Sequence, residues 1–358
     1  MSVPYAGGYL GLGNSFTSQN RGVLPVGGWV ELGRTTLGSG SDTISVGSLS
    51  DKRYYMVLAN TLDSGGSANA VNWRLNADGG LIYARRFSNN GATDSTAINQ
   101  TVIGVGGFAG TDPDFAVGYF ANVSSKEKLN ITYYVTQNTA GAGTAPQRVE
   151  IVGKSSNTAA VISTIASING GTGDYATGSE VVVLGWDPAD VHTTNFWEEL
   201  ASVNASGSDI FIDSGTITAK KYLFVWVFIE GSASSQQDAL MTFNGDTSTN
   251  YADRVSSNGA ADNTSVNRSN IEFMHDRGTA YTGGRMAYGY IINNSANEKL
   301  IQGNYYRGVS GAATAPQRSE YVGKWDNVAS QITSIRVTAF GTPANYPAGS
   351  IMKVWGSD

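Results

Sequence analysis

Short apolar runs alternate with clusters of Gly, Ser, Asn and Asp along the whole chain, and their period is two. In Ile335-Arg336-Val337-Thr338-Ala339 apolar and polar side chains exchange faces at every step, the pattern of a half-buried strand. Tyr222-Leu223-Phe224-Val225-Trp226-Val227-Phe228-Ile229 is apolar on both faces and predicts a strand in the middle of a sheet. Further runs rich in β-branched and aromatic residues predict strands at 209–213, 222–230, 240–244, 285–293, 299–306, 318–324, 331–339 and 350–355. The N-terminal half shows the same set. No other segment carries a useful helical period. Roughly eight to ten short strands per half, with turn signals every ~8–12 residues, predict all-β antiparallel sandwiches of jelly-roll type.

The halves are related in sequence. Thr144-Ala145-Pro146-Gln147-Arg148 recurs 170 residues later as Thr314-Ala315-Pro316-Gln317-Arg318, and Val152-Gly153-Lys154 recurs at the same offset as Val322-Gly323-Lys324. Leu75-Asn76-Ala77-Asp78 answers Phe243-Asn244-Gly245-Asp246 at 168, and Glu127-Lys128-Leu129 answers Glu298-Lys299-Leu300 at 171. Ten such blocks in order mark a tandem duplication. A unit of about 163 residues is too long for a solenoid or propeller repeat, so each copy predicts a whole domain. The boundaries are copy one at 27–188, a connector at 189–193, and copy two at 194–358. The polar stretch 187–193 spans ~20–25 Å at most, which predicts domains side by side. Residues 1–26 match neither copy. Their Tyr5, Tyr9 and Phe16, set among glycines, predict an extended arm, either a frayed terminus or a segment ordered against a neighbouring subunit.

Both copies close in the same way. Copy two has Ile332-Thr333-Ser334-Ile335-Arg336, a loop, then Tyr346-Pro347-Ala348-Gly349-Ser350 and a last strand ending in Gly356. Copy one has Ile162-Ser163-Thr164-Ile165-Ala166, then Tyr175-Ala176-Thr177-Gly178-Ser179 and a strand ending in Gly185. An alternating strand, an aromatic, Gly-Ser and a final strand ending in Gly resembles the closing hairpin of jelly-roll domains in bacteriophage virion proteins. That family covers capsid-decoration, head-fibre and tail-associated components. The resemblance spans about the last 30 residues of each copy. It implies a structural or attachment role in a virion, and carries no catalytic residues over.

Composition narrows the chemistry. The chain has 358 residues, 15% charged, with 45 Gly, no Cys and 2 His. Aromatic and β-branched content is too high for a disordered chain. Without Cys there are no thiolate metal sites, disulfides or cysteine nucleophiles. A net charge of −6 argues against nucleic acid as the main partner. No apolar run approaches the ~18–20 residues that cross a bilayer, and no leader opens the chain, so no membrane partner is expected. His192 and His275 have no counterparts at matched positions and make poor material for a metal site. No Gly-x-Ser-x-Gly elbow stands between strand and helix.

The duplicated carboxylates are Glu31/Glu199, Asp42/Asp209, Asp78/Asp246, Asp94/Asp262, Glu127/Glu298 and Glu150/Glu320. Loop acids such as Asp78 and Asp94 read as turn caps. Asp112-Pro113-Asp114 could offer oxygens to Ca²⁺, but it lacks an EF-hand spacing and is absent from copy two. No catalytic, cofactor or metal site is expected. Arg148 and Glu150, like Arg318 and Glu320, sit two apart on a strand and share a face. They predict an ion pair within each domain or, alternatively, a contact repeated on a neighbouring subunit. Trp186 and Trp355, beside the terminal glycines, read as core or interface packing.

The leading expectation is a non-enzymatic structural component of a bacteriophage particle, bound to capsid or tail and partnered by copies of itself and other virion proteins. One alternative is an adhesin that binds a host surface glycan or receptor through loop aromatics such as Tyr54, Tyr83, Tyr251 and Tyr281. Another is a double jelly-roll major capsid protein. A hydrolase on a jelly-roll scaffold ranks last.

Overall fold

A computed structural model describes residues 28–64, 70–105, 112–190, 194–231, 238–274, 283–308, 312–340 and 345–358. The arm residues Tyr5, Tyr9 and Phe16, with His192, His275 and Tyr281, lie outside the described residues. The described residues contain strands and no helix. In chain order the first half holds β1 (Val30–Thr36), β2 (Thr43–Val46), β3 (Tyr54–Thr61), β4 (Asn72–Leu75), β5 (Tyr83–Asn89), β6 (Ser95–Gln100), β7 (Ile103–Gly104), β8 (Asp114–Ala121), β9 (Lys128–Thr136), β10 (Gln147–Ser155), β11 (Ile165–Ile168) and β12 (Glu180–Trp186). The second half repeats them as β13 (Glu198–Asn204), β14 (Phe211–Asp213), β15 (Tyr222–Ile229), β16 (Asp238–Phe243), β17 (Tyr251–Ser257), β18 (Asn263–Arg268), β19 (Ile271–Met274), β20 (Arg285–Ile292), β21 (Lys299–Arg307), β22 (Gln317–Trp325), β23 (Ile335–Phe340) and β24 (Ile351–Ser357).

Each half builds one eight-stranded and one four-stranded antiparallel sheet. The orders are β1-β12-β3-β8-β9-β10-β5-β6 with β2-β11-β4-β7, and β13-β24-β15-β20-β21-β22-β17-β18 with β14-β23-β16-β19. The topology is therefore duplicated strand for strand, as two β-sandwiches. The twelve strands per half among the described residues exceed the eight to ten that the periodicity predicts. Strands of two to four residues, such as β7 and β14, are too short to show a period. The apolar run of β15 does lie inside its sheet, between β24 and β20.

By contacts the chain divides into two units. Unit 1 ends its first segment at Ser88 and adds Asp94–Tyr134 and Val149–Glu198; unit 2 comprises Asn89–Thr93, Val135–Arg148 and Glu199–Asp358. Each unit has its own core. In unit 1, Val57, Trp73, Tyr134, Ile165 and Val183 are fully buried; in unit 2, Val225, Phe243, Tyr251, Trp325 and Val354 are. The bulkiest core side chain has changed place between copies. Trp73 on β4 matches Met241 on β16, whereas Trp325 on β22 matches Ser155 on β10.

The repeated sequence blocks prove to be fastenings. Asn76 and Asn244 stand in left-handed turns, with φ of 55° and 53°. Asn76 Oδ1 accepts from the amides of Ser163 (2.8 Å) and Thr164 (3.2 Å), while Asn244 Oδ1 accepts from Thr333 (2.8 Å) and Ser334 (3.0 Å). Those bonds hold 331–334 as irregular backbone, so β23 starts at Ile335 and not at Gln331. The Gly-Ser of each closing hairpin is equally local in origin. Gly178 and Gly349 adopt φ of 88° and 95°, where a side chain is strained. The following hydroxyls then accept from Leu62 N (2.8 Å) and Glu230 N (3.0 Å). The preceding aromatics, Tyr175 and Tyr346, are fully buried.

Buried lysines give unit 2 a pH dependence. Lys299 Nζ donates to the carbonyls of Asn297 (2.5 Å) and Asn327 (2.9 Å), and burial lowers its pKa to about 8, against the pull of Glu298. Lys128, its match in unit 1, is lowered by burial as well. Above pH 8 the folded chain has released the Lys299 proton while the unfolded chain keeps it to ~10.4, so stability rises across that window. Burial raises Tyr175, Tyr251 and Tyr321, which reverses the slope above pH ~10. The melting temperature is expected to climb between pH 8 and 9.5, with a flatter profile for Lys299→Met. A wild-type profile that is flat or falling there refutes the assignment.

Candidate functional site

One end of the unit 1 eight-stranded sheet carries an open pocket of about 380 Å³. Neighbouring strands supply its wall: Trp29 before β1, Trp186 ending β12, Tyr54 opening β3, Tyr119 on β8, and Leu129 and Ile131 on β9. The antiparallel register sets Trp186 opposite Tyr54, and Tyr54 opposite Ala121. The rings therefore meet: Tyr54 stacks on Trp186 at 5.4 Å, with Trp29 6.3 Å away from the same indole. Trp29 also lies 6.4 Å from Tyr119. No charged side chain lines this pocket. Sequence reasoning placed Trp186 in packing and Tyr54 among loop aromatics, but it missed Trp29, Tyr119, Leu129 and Ile131. Their only shared signal is an apolar residue near the same end of five strands, which becomes visible once the strand order is known.

Tyr83 and Tyr251, expected as loop aromatics, are instead buried at the starts of β5 and β17. Each hydroxyl accepts from the amide of the preceding strand, Leu75 or Phe243, at 3.0 Å, and donates back into the turn. They close the turn that brings Asp78 or Asp246 into place.

A second constellation lies inside unit 2, where 135–148 meets residues of the second copy. Arg148 Nε and Nη2 donate to the two carboxylate oxygens of Asp262, at 3.1 and 2.8 Å, with both side chains buried. Arg254 stands 3.7 Å from the same carboxylate, and its Nε donates to the Pro146 carbonyl at 2.8 Å. Burial lowers the Arg254 pKa, opposed by Asp262. Deeper in, Lys324 Nζ donates to the carbonyls of Gln137 (3.2 Å) and Thr139, with Glu298 at 3.6 Å. Glu298 accepts from the Gly141 amide, and burial raises its pKa against the bonds it accepts. Asp326 accepts from Ala142 N at 3.1 Å, and Ala142 O accepts from Asn267 N at 2.9 Å. The pairing of Arg318 with Glu320 is present, as their spacing suggests. Arg148 is engaged across sequence by Asp262 instead of being explained by Glu150 alone.

The remaining duplicated carboxylates have structural partners. Glu31 pairs with Arg34 at 2.6 Å and Glu199 with Lys353 at 2.8 Å. Asp78 and Asp246 accept from the amides of Gly80 and Ser248, both two residues on, as turn caps. Asp114 is buried where β8 begins and accepts from Thr61 Oγ1 at 3.3 Å. A hydrogen bond from Asp42 raises the pKa of the Asp174 carboxyl, and Asp209 is lowered by the Ser206 amide. Among the described residues, no three His, Asp or Glu side chains gather in a way that could hold a metal ion.

No family model matches this chain, and no curated protein matches it. Among solved structures, it overlaps with mouse laminin α1 chain domains LG4-5 at 11% identity, covering 94% of this chain and 93% of that one, with a TM-score of 0.21. It overlaps with Ail, the attachment invasion locus protein of Yersinia pestis, at 6% identity, covering 77% and 98%, with a TM-score of 0.14. At such scores the overlaps establish neither fold nor function.

Proposed function

We propose that this chain is a non-enzymatic structural component of a bacteriophage particle, which attaches to capsid or tail by surface contact with other protein subunits. The observation that carries the contact reading is the uncharged aromatic pocket of unit 1. Rings held by five strands are rigid before binding, so an entering side chain loses entropy but the wall loses little. Sugar hydroxyls need hydrogen-bond partners, and this wall offers almost none, which favours an apolar side chain of a protein neighbour over a glycan. The particle part of the reading rests on the closing hairpins, Tyr175 to Gly185 and Tyr346 to Gly356, and their resemblance to virion jelly rolls.

Electron microscopy of purified particles, labelled with antibody against the chain, tests the proposal. Label is expected at fixed sites on capsid or tail, in many copies per particle. Particles that carry no label and contain no peptide of the chain by mass spectrometry overturn it. Binding to a glycan array that Trp186→Ala abolishes would favour the adhesin alternative.

A further inference from the structure

The duplication repeats most partners of the unit 2 constellation, and the second set lies open to solvent. The match of Arg148 is Arg318, and the match of Asp262 is Asp94. Likewise Arg254, Glu298 and Lys324 match Arg86, Glu127 and Lys154. The turn that presents Arg148 is built identically in the second copy. Asn90 N donates to Arg148 O and Arg148 N to Asn90 Oδ1, both at 3.0 Å; Asn258 N donates to Arg318 O at 2.8 Å and Arg318 N to Asn258 Oδ1 at 3.1 Å.

The exposure differs. The side chains of Arg148 and Asp262 are 4% and 2% exposed, whereas those of Arg318 and Asp94 are 55% and 51% exposed. The same holds beneath. In unit 2, Leu300 pairs in register with Lys324, and Gln302 with Val322, on one face of β21 and β22. Their exposures are 3% or less. The matched residues of unit 1 are open to solvent: Leu129 at 55%, Ile131 at 48% and Val152 at 50%, with the Lys154 side chain at 47%. A seat with three apolar residues, ringed by Arg86–Asp94 and Glu127–Lys154 pairs, thus lies beside the aromatic pocket, with which it shares Leu129 and Ile131.

We propose that the occupant of this seat is a second copy of the same chain. Its 258–260 turn and Arg318 would dock as 89–93 and Arg148 do inside unit 2, with Arg318 forking onto Asp94. Such a contact joins two different surfaces, so it repeats from chain to chain, closing as a ring or running on as a filament. One departure shapes the expectation: Ser156 stands where Asp326 accepts from Ala142, so the contact between chains has one charge-assisted bond fewer. An exchangeable contact, formed at particle concentrations, is the consequence. The partner named here deepens the assembly reading and rests on it for its biological purpose.

Sedimentation velocity on the full chain over ~1–200 µM tests it. Wild type is expected to form species that grow beyond dimer, while Arg318→Ala and Asp94→Lys each weaken association about tenfold or more. An equal mixture of the two variants should stop at a dimer, because one intact tip meets one intact seat. Circular dichroism melts of both variants should stay within a few degrees of wild type, since both side chains are largely exposed. A wild-type chain that stays monomeric throughout, or associates unaffected by either variant, overturns the proposal. Failure here and failure of the particle reading are separable. A monomeric chain that labels particles refutes only the self-docking, and a self-associating chain absent from particles refutes only the virion.

Discussion

Replacing Arg148 with Ala is expected to destabilise unit 2 by about 3–5 kcal/mol, whereas the matched Arg318→Ala costs about 1 kcal/mol or less in the isolated chain. The two arginines share sequence context, strand position and the hydrogen bonds of their turn. Their surroundings differ. Asp262 is buried and faces Arg148 through two parallel bonds, so truncation leaves a carboxylate out of water, with Arg254 at 3.7 Å as its remaining cation. Arg318 is largely exposed, so although Glu320 beneath it is buried, water reaches the place the guanidinium leaves. Joint replacement of Arg148 by Met and Asp262 by Leu removes both charges and is expected to recover most of the loss. Guanidinium unfolding followed by circular dichroism, with the unit 2 transition analysed separately, supplies the comparison. Equal losses for Arg148→Ala and Arg318→Ala would contradict the burial argument.

Trp325→Ala is expected to cost about 3–5 kcal/mol, again confined to unit 2. The indole is fully buried, lies parallel to Tyr251 (centroids 6.3 Å apart) and sits 5.7 Å from Phe243. Its Nε1 also donates to Asp246 Oδ2 at 2.8 Å. The Asp246 carboxyl is raised by burial, yet the bonds from Trp325, Ser248 and Asn250 outweigh this and hold it below its ordinary range. Trp325→Phe keeps most of the volume and loses the donor, so roughly half the penalty is expected. The Asp246 contribution is present above the ordinary carboxylate pKa and is lost as pH falls through the lowered one. The gap between wild type and Trp325→Phe should therefore narrow at strongly acid pH. A gap independent of pH would assign the whole effect to packing. Ser155 fills the matched place in unit 1, where Trp73 provides the bulk from another strand and bonds Thr132 Oγ1 at 3.0 Å. The copies have thus kept one topology while exchanging which strand fills the core. Cores tolerate such exchanges when total volume is conserved.

Period-two patterning, the offset blocks and the turn residues were enough to determine an all-β chain with a duplicated sandwich. These are local signals: alternation sets the face of a strand, and Asn or Gly at positive φ sets where it ends. Turn capping by Asp78 was legible for the same reason. Strand number was less so, because two-residue strands such as β7 are defined by their neighbours and not by their own pattern. The aromatic pocket needed strand order, since Trp29 and Trp186 are 157 residues apart and meet only because the first and last strands of the unit pair. Arg148 shows the limit most plainly. Sequence put a carboxylate two residues away, and the fold brought another from 114 residues distant into a drier place. Spacing reports what lies along a strand, while desolvation, which sets the strength of a charge pair, depends on what the tertiary structure places on top of it.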